Sequence, residues 1–144
     1  MLSSVFYACP DFIGLHRLMR YPDRRFGLLE FEMELSLVLT TCEDRQQAER
    51  LARLLVENHL AACVSIGAPV TSVFPWQGRI DTEQEVTLTI KTRPERLPAL
   101  KQAFNDHHPY EVPEMLVMPV VDGLKPYFDW AREWIDNDND KNSN

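Results

Sequence analysis

His107-His108-Pro109-Tyr110 sets two imidazoles beside a phenol in this 144-residue chain. Neutral imidazole is a ligand for Cu(II), Zn and Ni, and thiolate suits Cu(I). Histidines near a cysteine therefore make a borderline-to-soft metal site, with His107, His108 and Cys42 as candidate ligands for copper or another divalent cation. Adjacent residues on a helix point about 100° apart. The two histidines can share an ion only where the helix has ended, and Pro109 ends it. Adjacency alone favours a plainer arrangement, with His108 buried and hydrogen-bonded and His107 in solvent. Cys63 lies in an apolar run and reads as a small core residue. His108 and Glu111 are the right types for an acid–base pair, but nothing identifies a substrate. No nucleophile elbow, phosphate-gripping glycine loop or three-residue metal motif is present, so the chain does not read as an enzyme.

Composition narrows the partners. A net charge of −7 argues against nucleic acid and against anionic membrane, both of which need clustered Lys and Arg. Three cysteines without close pairing suggest a reducing compartment, hence the cytoplasm. No apolar run approaches the roughly 18–20 residues of a membrane span.

The elements that must position these side chains follow from periodicity. Leu35 to Thr41 is a buried first strand, with Leu35, Leu37 and Leu39 on one face. Thr41-Cys42-Glu43-Asp44 offers a capping box, and Ala48, Leu51, Ala52 and Leu55 follow at helical spacing to about Asn58. Ala61 to Ile66 is a second strand, continued by Val70 to Trp76 past a bend at Gly67-Ala68-Pro69. Trp76-Gln77-Gly78-Arg79 is turn chemistry, and residues 79–92 alternate in polarity as the returning strand. Pro94 opens a second helix, with Leu97, Leu100 and Phe104 inward. Met115 to Val121 is a fourth strand. Lys125 to Asp136 is a final helix with Tyr127, Trp130, Ala131 and Trp134 on its packing side. The order βαββαβ plus a helix is an α/β (α+β) sandwich, ferredoxin-like, with an extended hairpin between the second and third strands. Residues 1–32 read as a dispensable extension before a start at Met33, residues 33–136 as the domain, and residues 137–144 as a disordered polar tail.

Leu60-Ala61-Ala62-Cys63-Val64-Ser65-Ile66 resembles a segment of the CutA divalent-cation-tolerance proteins. So do Trp76-Gln77-Gly78-Arg79-Ile80, Ile90-Lys91-Thr92 and His108-Pro109-Tyr110-Glu111-Val112-Pro113-Glu114, in order, over residues 34–135. The resemblance implies a homotrimer, metal-ion partners and a role in the response to divalent cations such as copper, with no organic cofactor. Where some copper-binding members carry a cysteine at the end of the first strand, this chain has Thr40. In the implied trimer, Phe74, Trp76 and Trp130 are packing candidates. Lys91, Tyr110, Glu111 and Glu114 are candidates for a polar pocket between subunits, with Lys91 meeting an anion or a structural carboxylate. Two other functions fit the same outline: a PII-like small-ligand signalling module, or a stable trimeric scaffold whose metal binding is incidental.

Overall fold

The computed structural model describes residues 34–137. The extension expected at 1–32 and nearly all of the tail expected from 137 lie outside the described residues. Within them, β1 (Ser36–Cys42), α1 (Arg45–Glu57), β2 (Cys63–Trp76), β3 (Arg79–Thr92), α2 (Leu97–His107), β4 (Leu116–Pro119) and α3 (Lys125–Asp136) follow in order, with a short 3-10 turn at Pro94–Arg96 before α2. The sheet is antiparallel throughout, in the order β2-β3-β1-β4. This is the ferredoxin-like arrangement read from the periodicity.

One face of the sheet carries α1 and α2. Val38 pairs with Ile90, Thr40 with Leu88 and Cys42 with Val86. These side chains pack under Ala48, Leu51 and Leu55 of α1 and Leu100 and Phe104 of α2. Leu55, Leu88, Ile90 and Leu100 are fully buried, each contributing about 1.5–3 kcal/mol of apolar burial. The inward face of β1 is therefore Ser36, Val38, Thr40 and Cys42, and Leu37 and Leu39 lie half-exposed on the opposite face. This corrects the expectation for Leu37 and Leu39. Both faces of β1 carry apolar residues, so alternation alone does not say which one the helices cover.

Asp44 caps α1, its carboxylate accepting the Gln47 N–H at 2.8 Å. Thr41, the expected cap, is still paired with Thr87 in the sheet. The β2–β3 hairpin runs from a bulge between Ile66 and Pro69 out to Trp76↔Arg79. Its two turn residues, Gln77 and Gly78, both have positive φ, 49° and 81°. That is the geometry of a two-residue type I′ turn.

α3 closes a second, smaller core of Leu35, Ala62, Ala131 and Ile135. Arg93 clasps Asp136 at 2.7 and 2.8 Å, and Arg96 donates to the Ile135 carbonyl at 2.7 Å. Both cations sit where the helix dipole favours them. The Trp134 indole stacks on His59 at 4.7 Å and donates to the Val56 carbonyl at 3.2 Å. Tyr127 and Trp130, expected on the packing side, are instead largely exposed and lie against each other at 5.3 Å. Ala131 and Ile135 face the core because the small Ala lets the helix approach closely.

Candidate functional site

α2 ends beside β1: His108, just past the helix, meets Thr40, the first β1 residue beyond the short pairing with β4. His108 is the first residue past the helix, extended at φ −71° and ψ 138°, as the following proline requires. Its backbone N–H still bonds Phe104 O at 2.9 Å, and its ring stacks on Phe104 at 5.2 Å. The Tyr110 backbone N–H donates to His108 Nδ1 at 3.1 Å. A backbone amide can only donate, so Nδ1 holds the lone pair and Nε2 carries the proton. That proton is directed at Thr40 Oγ1, 3.1 Å away. Burial pushes the His108 pKa down, against a smaller opposing pull from a backbone bond to Thr41. His108 is a neutral imidazole with both nitrogens engaged.

Beside it sits a buried carboxylate that sequence reasoning missed. Glu85, on β3, accepts hydrogen bonds from the Thr41 hydroxyl and the Tyr110 phenol, each at 2.9 Å. Burial raises its pKa, but bonds from Ser72, Tyr110 and Thr41 outweigh this and hold it below the usual carboxylate value. The Tyr110 phenol is correspondingly pushed up, by burial first and then by Glu85. Glu85 shares its strand with two other acidic residues, Asp81 and Glu83, and nothing local marks it as the one that turns inward. The only signal is Tyr110, a phenol that needs a partner once buried.

Cys42 is wholly buried. Burial first, then the charges of Asp44 and Glu85, raise its thiol to about 11. It is a protonated core thiol. His107, by contrast, stands in solvent at the last turn of α2, above a groove lined with Gln47, Arg50, Leu51, Leu54 and Pro109. His107, His108 and Cys42 do not converge: among the described residues, no group of three His, Cys, Asp or Glu side chains is arranged to hold a metal ion. Thr40 does touch His108, so the position where the resemblance leads one to expect cysteine is adjacent to the imidazole but supplies only a hydroxyl.

The polar pocket candidates separate in the same way. Tyr110 joins the Glu85 network. Glu111 and Glu114 are exposed on the loop before β4, and the ring partners of His108 are Thr40 and Tyr110, so no His108–Glu111 pair forms. Lys91 lies on the open face of the sheet. There it bonds the Ser65 hydroxyl, and its ammonium is 3.8 Å from the Cys63 sulfur. Cys63 is accordingly half-exposed beside a cation, a correction to its reading as a core residue; it pairs with Lys91 across β2 and β3 and shares its face. Phe74 is half-buried on the hairpin, and Trp76 and Trp130 are exposed.

The profile of the CutA1 divalent ion tolerance protein family matches residues 36–134. The divalent-cation tolerance protein CutA of Thermus thermophilus is 41% identical over 97 residues, which are 67% of this chain and 94% of that protein. The human Protein CutA is 40% identical over 98 residues, 68% of this chain and 55% of the human one. This chain thus spans about half of that longer relative. Among solved structures, CutA1 from Shewanella sp. SIB1 superposes with a TM-score of 0.68 at 42% identity, covering 70% of this chain and 94% of that one. The Thermus thermophilus protein gives 0.67 at 40%, covering 69% and 96%. With the family profile matching from β1 into α3 and relatives about 40% identical over the same span, the chain belongs to the CutA1 divalent ion tolerance family.

Proposed function

We propose that this chain is a non-enzymatic divalent-cation tolerance protein that works in a reducing cytoplasm as a homotrimer and binds copper or another divalent heavy-metal ion. The single observation that carries the assembly is the apolar surface left without a partner. On the hairpin, Val73 and Ile80 are exposed by 65% and 70%, with Val70 and Trp76 beside them. On the far edge of the sheet, Leu116, Val117 and Met118 of β4 are each exposed by more than 40%. Such edges attract further strands, and a hairpin of one copy on the edge of the next closes into a ring. Three is the number the family resemblance implies.

The names of the relatives support the cation, and the end of α2 supports imidazole as its ligand. His107 is the nitrogen donor open to solvent. His108 becomes a ligand only by surrendering the Tyr110 N–H, and Cys42 only by losing a proton held to about 11. The PII-like alternative asks for a long mobile loop between β2 and β3, whereas the connection is the two residues Gln77 and Gly78. Calorimetric titration of the full chain with Cu(I) and Cu(II) tests the metal reading. His107→Ala is expected to weaken binding at least tenfold and Cys42→Ser to leave it unchanged. Unchanged affinity in both His107→Ala and His108→Ala would sink the histidine site, and affinity no greater than that of an isolated surface histidine would leave the scaffold reading in its place.

A further inference from the structure

A groove of about 410 Å³ runs between α1 and the end of α2, lined by Gln47, Arg50, Leu51, Leu54, His107 and Pro109. The four α1 residues recur at i, i+3, i+4 and i+7, one stripe of the helix. Neither the hairpin nor β4, the edges assigned to assembly, contributes to the lining. His107 brings one exposed imidazole, and Arg50 brings an exposed guanidinium. No acidic side chain lines the groove. Glu43 bonds the Gln47 amide at 3.2 Å, two turns before Arg50, and the Arg45–Glu49 ion pair lies off the stripe. Such a set holds a bare metal ion badly. Cu(II) prefers a square-planar or tetragonal set of N and O donors, His107 offers a single nitrogen, and a guanidinium in the same groove repels a dication. The same guanidinium attracts carboxylates, which it can grip with two parallel N–H bonds.

We propose, resting on the metal reading, that the ion occupies this groove not bare but as the chelate of a small aminocarboxylate. His107 fills the one position the chelator leaves open, Arg50 pairs with a chelator carboxylate, and the chelator's methylenes lie on Leu51, Leu54 and Pro109. Each component alone is a poorer ligand. The aqueous ion meets Arg50 as a like charge, and the metal-free chelator gives up the bond to His107. Every lining residue comes from one chain, so the expected stoichiometry is one chelate per chain.

Calorimetric titration of the full chain with two Cu(II) chelates tests this. Nitrilotriacetate gives an anionic complex and diethylenetriamine a cationic one, and each leaves a position open to imidazole. Salt at about 0.15 M screens the −7 charge of the chain, which by itself favours the cation, and leaves close contact pairs in place. The anionic chelate is expected to bind several-fold tighter, at one site per chain. His107→Ala should remove that site for both chelates, together with the added nitrogen donor in the copper EPR spectrum. Arg50→Met should abolish the preference and Arg50→Lys retain part of it; Arg50 is exposed, so the fold does not depend on it. Equal or reversed affinities in the wild type, a preference that survives Arg50→Met, or one chelate per three chains overturns the proposal. Titration with aqueous Cu(II) separates this from the metal reading. If His107→Ala weakens that binding while the wild type shows no preference between the chelates, the metal reading stands and the chelate falls. If His107→Ala changes neither titration, both fall.

Discussion

At Tyr110, a phenol donates to Glu85, a carboxylate 8% exposed, and hydrogen bonds to charged groups contribute about 1.5–3 kcal/mol. Tyr110→Phe keeps the ring against His108 and removes only the O–H. It should cost about 1–3 kcal/mol in urea unfolding, and the loss should shrink in a Glu85→Gln background. His108 gives the network a pH dependence. The folded ring has a pKa below its ordinary 6.5, so protons bind the unfolded chain more readily across that interval. The stability this ring contributes is full above about 6.5 and falls as pH drops toward the lowered folded value. Wild type should therefore lose more stability between pH 7.5 and 5.5 than His108→Gln does, and parallel losses in the two would mean that the ring is not held neutral. The half-buried, bonded state of His108 was legible from its adjacency to His107, which favours one ring turned inward and the other in solvent. Glu85 was not legible. Its inward turn depends on Thr41, Ser72 and Tyr110, far away along the chain, and strand periodicity carries no trace of them.

The elements themselves were read nearly to the residue where chemistry punctuates them. β3 at Arg79–Thr92 and α3 at Lys125–Asp136 coincide with the expected spans, because Gln77-Gly78 forces a tight turn and Gly123 and the helix pattern delimit α3. Facing was harder. β1 is apolar on both sides, and α3 presents three large aromatic residues that outweigh Ala131 and Ile135 in any count of hydrophobicity, yet the small core selects the latter pair. Ile135→Ala should thus cost about 2–5 kcal/mol as a cavity-forming change, whereas Trp130→Ala should cost less than about 1 kcal/mol in the isolated subunit. At the bulge, a side chain on Gly67 would overlap Thr87 Oγ1. Gly67→Ala should destabilise the hairpin, and Thr87→Ala should recover part of the loss; additive effects would show that the two do not touch.

For the whole molecule, the acidic balance of −7 keeps copies apart at long range, so association must come from apolar surface. The hairpin and β4 supply it at opposite edges of the sheet, which is what a closed ring requires. Reading the sequence located part of this surface, in Phe74 and Trp76 of the hairpin. It could not show that α3 leaves them uncovered, since that depends on where the helix docks. Replacing Val73 and Ile80 together with Lys leaves the core intact and should shift the chain toward monomer. The most direct measurement is the mass of the full chain by sedimentation equilibrium at micromolar concentration. The account predicts about 50 kDa, three 16.7 kDa protomers, falling in the double-Lys variant; a single species at the protomer mass would contradict it.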